Sequence, residues 1–332
     1  MSRRLYDNHG REINYLRLAV TDRCNLRCFY CMPEEGIVYG PRNTLLSYEE
    51  MVQIVRVLAP LGVNKLRLTG GEPFLRRDFM DFLHEANKID GLEQIHLTTN
   101  GTLTAPHIPI FKSLGIRSVN LSIDTLDPKR FYEITRRDSF GKVWKTFELL
   151  LAYDIETKLN AVVMEGHNID DILPLVALTK KHPVSVRFIE EMHFNGGDAH
   201  YKVLKWDHKK ILEHIRTAYP LLEKIPDPKH STSYNYSIPR HQGTIGIIAA
   251  HSRTFCGTCN RIRITPTGQL KTCLYDDGVF NVRDLMRAGA TDAQLQDAFI
   301  SALQYKAKDG WEAEKNRSFN NPAGESMATI GG

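Results

Sequence analysis

Short apolar runs alternate with longer amphipathic segments along the first ~190 residues, a rhythm that predicts parallel βαβ units. The runs predict strands at 15–21, 65–70, 94–99, 118–124, 157–164 and 184–192. Between the first two, Ser47-Tyr48-Glu49-Glu50 is a capping box that opens a helix running to about Leu61. Further crossover helices are expected near 78–89, 105–114, 141–153 and 169–181. Six parallel strands with intervening helices suit either a partial barrel or an open doubly wound sheet, and in both the ligand binds at the carboxyl ends of the strands. Beyond about residue 200 the pattern changes to a helix near 207–219, a Pro-containing loop and hairpin-like segments at 234–250 and 261–275. Amphipathic helices near 281–288 and 292–306 and a polar tail complete the chain. The expected division is a core over 1–200, an extension over 201–320 and a flexible tail over 321–332 that ends in Gly331-Gly332.

The predicted strand ends carry the unusual residues. A cysteine loop follows the first strand, Thr69-Gly70-Gly71-Glu72-Pro73 the second, Thr98-Thr99-Asn100-Gly101 the third, and Asp124 the fourth. In the cysteine loop, Cys24, Cys28 and Cys31 are spaced C-x3-C-x2-C, one ligand short of a closed metal site. A [4Fe–4S] cluster on three cysteines leaves one iron free, and three cysteines with a water is also a possible zinc arrangement. Cys256, Cys259 and Cys273 form a second triplet, C-x2-C-x13-C. It suits a second open cluster or a structural zinc with a histidine such as His251 as fourth ligand.

Basic residues interrupt the strands. Arg17, Arg67 and Arg187 each stand between two apolar residues, and Lys158 precedes the apolar run 159–164. On a sheet covered by helices on one face, such positions point to the other face, where an unpaired guanidinium costs several kcal/mol. Arg261 and Arg263 share one strand face directly after Cys259. Together these cations favour a phosphate-rich anionic ligand.

With 42% hydrophobic and 25% charged residues among 332, the chain can bury a full core. The net charge of +4 is mild, and without a Lys/Arg run nucleic acid is not an expected partner. No segment approaches the length of a membrane span, and the opening residues lack the apolar core of a signal peptide, so a reducing cytoplasm is the expected location.

Cys24-Asn25-Leu26-Arg27-Cys28-Phe29-Tyr30-Cys31 and Gly70-Gly71-Glu72-Pro73 resemble the cluster loop and the GGEP motif of the radical S-adenosylmethionine superfamily. Within it, Asn14–Pro33, Arg67–Pro73, Leu97–Gly101, Asn120–Asp124, Arg187–Glu190, Phe255–Arg261 and the terminal Gly331-Gly332 resemble the GTP 3′,8-cyclase family. The resemblance implies an α/β fold: a partial (βα)6 barrel of the radical S-adenosylmethionine type with a C-terminal α+β extension carrying a second cluster. It implies two [4Fe–4S] clusters, on Cys24, Cys28 and Cys31 and on Cys256, Cys259 and Cys273, the second meeting the guanine. S-adenosylmethionine would lie among Tyr30, Gly71, Ser122 and Met192. GTP would be held by Arg17, Arg67, Thr98, Lys158, Arg187, Arg261 and Arg263, with Arg17, Arg261 and Arg263 also catalytic. The implied reaction is the first step of molybdenum cofactor biosynthesis, with an unidentified reductant and with the product passed to pyranopterin monophosphate synthase. The oligomeric state is left as monomer or homodimer. The terminal di-glycine is expected to reach the active site.

Overall fold

Alternating apolar and polar residues form the expected parallel strands in the computed structural model, which describes residues 4–192, 194, 204–317 and 325–331. These are β1 (Tyr15–Ala19), β2 (Lys65–Thr69), β3 (Gln94–Thr99), β4 (Ile116–Ser122), β5 (Glu156–Val163) and β6 (Ser185–Glu190), paired in that order. The C-terminal region adds strands at both edges of this sheet. β7 (Glu223–Lys224), β8 (Tyr234–Ser237) and β9 (Thr244–Ile248) form an antiparallel ribbon whose last strand lies parallel to β6. β10 (Arg261–Ile264), β11 (Gln269–Lys271) and β12 (Phe280–Asn281) form another, with β10 parallel to β1. The strand order β12-β11-β10-β1-β2-β3-β4-β5-β6-β9-β8-β7 therefore has a parallel centre running from β10 to β9. Residues from β10, β1, β3, β4, β5, β6 and β9 line one cavity, so the sheet curls around it as a partial barrel does. Two parallel strands beyond the expected six, β9 and β10, come from the C-terminal region and extend the wall at both edges.

Leu16, Leu18, Leu66, Leu68, Leu97, Val119 and Leu121 are buried on the outer face of the sheet. Helices α1 (Tyr48–Leu58), α2 (Phe79–Asn87), α3 (Pro128–Thr135), α4 (Phe140–Ala152), α5 (Ile172–Lys181) and α6 (His208–Ala218) supply the rest of that core, with Met51, Ile54, Phe82, Phe147, Leu175 and Ile211 all buried. The capping box at α1 forms as expected: Glu50 N donates to Ser47 Oγ (3.2 Å) and Ser47 N to Glu50 Oε2 (2.7 Å). The helix expected near 105–114 is instead a 3-10 segment, Ala105–Ile110, because Pro109 has no N–H to donate within a helix interior. α3 lies outside the expected helices; Asp127 caps it and Pro128 occupies its first position.

Four short or terminal helices follow: α7 (Val282–Arg287), α8 (Asp292–Leu303), α9 (Gly310–Lys315) and α10 (Met327–Ile330). Arg287 pairs with Glu50 at 2.7 Å and Gln53 donates to Asp292 at 2.8 Å, which fastens the extension to α1. Among the described residues no helix is long and apolar enough to cross a membrane.

Candidate active site

The in-register parallel strands set polar residues of one parity side by side on the inner face. Arg263 pairs across to Arg17, Arg17 to Arg67, and Arg67 to His96. One residue pair further along, Thr98 pairs with Asn120, Ser122 with Asn160, and Asn160 with Arg187. Above this floor lies a cavity of about 320 Å³ whose walls include all six cysteines. Five polar atoms on its walls are buried without a hydrogen-bond partner among the described residues: Arg17 Nε, Thr69 Oγ1, Asn120 Oδ1, Asn160 Oδ1 and Arg187 Nε. Orphaned groups of this kind, converging from several strands, are what a polar ligand would satisfy.

The loop after β1 carries the first triplet and rests on the turn after β2. Gly71 N donates to Thr21 O and Glu72 N to Arg23 O, both at 2.8 Å. Glycine is required where the two backbones touch: a Cβ on Gly71 would lie 2.1 Å from Arg23 O, and one on Gly70, at φ 133°, would lie 2.2 Å from Thr21 O. Glu72 is fully buried beneath them, accepting from Asn100 N (2.7 Å), Thr99 Oγ1 (2.8 Å) and Phe74 N (3.2 Å). Burial nevertheless pushes its carboxyl up to about 7. Gly71→Ala is expected to displace the cysteine loop at an overpacking cost of ~1–3 kcal/mol. Iron and sulfide analysis after anaerobic reconstitution should show markedly less of both than in wild type, and an unchanged content would refute the assigned contact.

Cys24, Cys28 and Cys31 are free, half-buried thiols, and burial raises all three, Cys24 to about 12. Cys24 Sγ accepts from Leu26 N at 3.4 Å and from Asn100 Nδ2 at 3.6 Å, N–H···S contacts that favour a thiolate. Tyr30 donates to Asp124 Oδ2 at 2.9 Å, and Val162 N anchors Asp124 Oδ1 at 2.9 Å, so the ring beside the triplet is fixed.

The second triplet sits where β10 begins and β11 ends. Burial would raise the Cys259 thiol, but the Lys306 ammonium and the Arg261 guanidinium overcome it and hold it at about 5. Lys306 is buried, donating to Arg261 O at 3.1 Å and to Thr272 O. Burial raises Cys256 and Cys273. His251 lies edge-on to Trp311 and outside the cavity lining, which disfavours it as a fourth ligand. Among the described residues no three His, Cys, Asp or Glu side chains are arranged to hold a single metal ion.

Of the residues expected to hold ligands, Arg17, Tyr30, Gly71, Thr98, Ser122, Arg187, Met192, Arg261 and Arg263 all line the cavity. Arg67 and Lys158 do not. Arg67 donates to the Tyr15 hydroxyl (2.6 Å) and to Leu97 O (3.0 Å), while Lys158 pairs with Glu156 at 2.5 Å. Burial lowers Arg187 to about 10, Arg67 adding to the effect, and lowers Arg263 to about 9, with Arg17 and Arg261 contributing. The C-terminal segment closes one side. Met327 and Ala328 line the cavity, Ser326 Oγ donates to Cys31 O at 2.7 Å, and Arg263 Nη1 donates to Gly331 O at 3.3 Å. Gly332 lies outside the described residues. Sequence reasoning missed Tyr15, Asn160 and Lys306; Tyr15 and Asn160 carry only the signal of strand parity, which they share with Arg17 and Lys158.

Residues 18–179 match the Radical SAM superfamily model and residues 184–311 the Molybdenum Cofactor Synthesis C model. Molybdenum cofactor biosynthesis protein 1 of Mus musculus is 44% identical over 92% of this chain, and the chain spans about half (48%) of that relative's length. A GTP 3′,8-cyclase of Syntrophomonas wolfei is 38% identical over 94% of this chain and 98% of its own. The mitochondrial GTP 3′,8-cyclase of Arabidopsis thaliana is 37% identical over 91% and 77%. Streptococcus suis SuiB bound to S-adenosylmethionine shares the fold, with a TM-score of 0.58 and 14% identity over 88% of this chain and 69% of that one. A relative matched from end to end at this identity, on a fold whose cavity gathers two cysteine triplets, leaves one assignment: the chain belongs to the GTP 3′,8-cyclase family of radical S-adenosylmethionine enzymes.

Proposed function

We propose that this chain converts GTP to (8S)-3′,8-cyclo-7,8-dihydroguanosine 5′-triphosphate, consuming S-adenosylmethionine to methionine and 5′-deoxyadenosine in the first step of molybdenum cofactor biosynthesis. One observation carries the reading: both thiol triplets and four arginines line a single cavity, where Arg17 Nε and Arg187 Nε are buried without a partner among the described residues. Cys24, Cys28 and Cys31 would hold one [4Fe–4S] cluster, and Cys256, Cys259 and Cys273 the other. The chemistry these groups would supply when bound is one-electron cleavage of the sulfonium, and the 5′-deoxyadenosyl radical so formed would take the 3′ hydrogen of the GTP ribose, C3′ would join guanine C8, and one further electron from the reductant with a proton would complete the product.

The chain's own residues supply position. A primary alkyl radical attacks almost any C–H bond, so selectivity comes from how firmly the ribose is placed. Arg17, Thr98, Arg187, Arg261 and Arg263 hold the nucleotide from four different strands, and no single strand movement releases it. Arg67 acts from beneath, through Tyr15, and Lys158 is available only on leaving Glu156. Tyr30, Gly71, Ser122 and Met192 form the S-adenosylmethionine wall, with Asp124 fixing Tyr30 and Glu72 fixing the Gly70-Gly71 turn. The segment 326–331 excludes water from the Cys31 and Arg263 side. An external reductant delivers the electrons, the product passes to pyranopterin monophosphate synthase, and the protein works in a reducing compartment such as the cytoplasm.

Anaerobically reconstituted protein given dithionite, S-adenosylmethionine and GTP deuterated at C3′ is expected to yield deuterated 5′-deoxyadenosine together with cyclised product, read by mass spectrometry. Deoxyadenosine free of deuterium would remove GTP as the hydrogen donor and leave a radical enzyme with another substrate.

A further inference from the structure

Tyr15 stands at the centre of a cationic hub that the reading above leaves without a counter-charge. Its partners across the two ladders are Lys65 on β2 and Arg261 on β10. Its hydroxyl takes the Arg67 Nε hydrogen at 2.6 Å, the Lys65 ammonium lies 5.0 Å from the ring centroid, and the Arg17 guanidinium 5.8 Å. From β6, Arg187 senses the same phenol. The phenol is 7% exposed, and Glu156, the carboxylate that acts on Lys65 and Arg187, is paired with Lys158. Arg261 also faces the Cys259 thiol, but Arg17, Lys65, Arg67 and Arg187, all buried or half-buried, repel one another unless an anion joins them. Burial alone would push the Tyr15 hydroxyl up, but Arg67 and Arg17 outweigh it and pull it to about 6.

We propose that Tyr15 is the resident anion of this hub and yields that role to the GTP triphosphate, taking a proton from solvent as the triphosphate arrives. The proposal rests on the reading that Arg17 and Arg67 serve GTP. One O–H bond forms on the phenolate, no electron moves, and the triphosphate charge replaces the phenolate charge beside the guanidinium groups. The sign follows from linkage. Above about pH 6 the free protein holds Tyr15 ionised, and the incoming negative charge returns it toward its ordinary value of 10.0. Between those limits binding consumes a proton, so affinity falls as pH rises, by up to about tenfold per pH unit.

The test is anaerobic titration calorimetry of GTP into the reconstituted two-cluster protein with S-adenosylmethionine present, at pH 8, where the terminal phosphate, whose last pKa is about 6, is already ionised. Buffers of differing ionisation enthalpy give the proton count. Wild type is expected to take up about one proton per GTP and Tyr15→Phe close to none. Equal uptake by the two proteins, both binding GTP, overturns the proposal, because a phenol that only packs would leave the proton count unchanged. If Tyr15→Phe loses its clusters or fold, wild type decides alone: its Kd for GTP should weaken about tenfold from pH 7.5 to 8.5, and a flat profile overturns the proposal. Wild type that binds S-adenosylmethionine but not GTP would instead overturn the substrate reading beneath it.

Discussion

Cys24→Ala protein is expected to produce no 5′-deoxyadenosine, whereas Cys273→Ala protein continues to cleave S-adenosylmethionine and forms no cyclised GTP. The division follows from position. Cys24 lies in the loop clasped by the Gly70-Gly71 turn, and its sulfur is met by Leu26 N and Asn100 Nδ2. Cys273 follows β11, where its backbone N donates to Asp276 Oδ2 at 2.8 Å, on a different part of the cavity wall. Loss of the Cys24 ligand should exceed the ~100-fold that removal of an outer-shell partner costs a metal site. Iron content near half of the wild-type value in each variant, with folding checked by circular dichroism, makes the comparison interpretable. Equal loss of cleavage in both variants would contradict the separate roles.

Arg17→Ala is expected to weaken GTP binding roughly 10- to 150-fold, since a hydrogen bond to a charged group contributes ~1.5–3 kcal/mol. Its Nε is buried and unpartnered among the described residues, and Tyr15, which loses the Arg17 charge in this variant, keeps its hydrogen bond from Arg67. S-adenosylmethionine affinity should stay within about threefold, because Arg17 stands beside Arg67 and Arg263 in the sheet and away from the Gly70-Gly71 turn. Arg261→Ala is also expected to cost GTP affinity, but it removes one of the two cations, with Lys306, that hold Cys259 low and so disturbs the second triplet as well. Equilibrium dialysis of both ligands against both variants separates the effects, and an Arg17→Ala protein with unchanged GTP affinity would remove Arg17 from the nucleotide site.

How far the chain can be read without its structure differs residue by residue. Arg17, Arg67 and Arg187 stand out because strand alternation sets them opposite leucine or valine, and a charge at such a position needs an explanation. Tyr15 has the same parity and was missed, since tyrosine is an ordinary strand residue and its neighbours Lys65 and Arg261 are far away in sequence. The cysteine loop and the glycine turn are legible from spacing, and their contact through Arg23 O and Thr21 O emerges only when β1 and β2 pair. The two helix differences have local causes, Pro109 ending one and Asp127-Pro128 starting another. Which edge each C-terminal ribbon joins is set by long-range pairing, and no local pattern encodes it.

That pairing has a consequence for synthesis. β9 and β10 cover opposite edges of the six parallel strands β1–β6, which are complete by Glu190, so both edges stay bare until the ribosome has made some sixty to eighty further residues. During that interval the nascent chain presents Ser185–Glu190 and Tyr15–Ala19 as open strands, each a template for pairing with another copy. Fragments ending near residue 190 should therefore aggregate, and the arginines inside β1 and β6 would then limit that pairing in the folding chain before they serve any ligand.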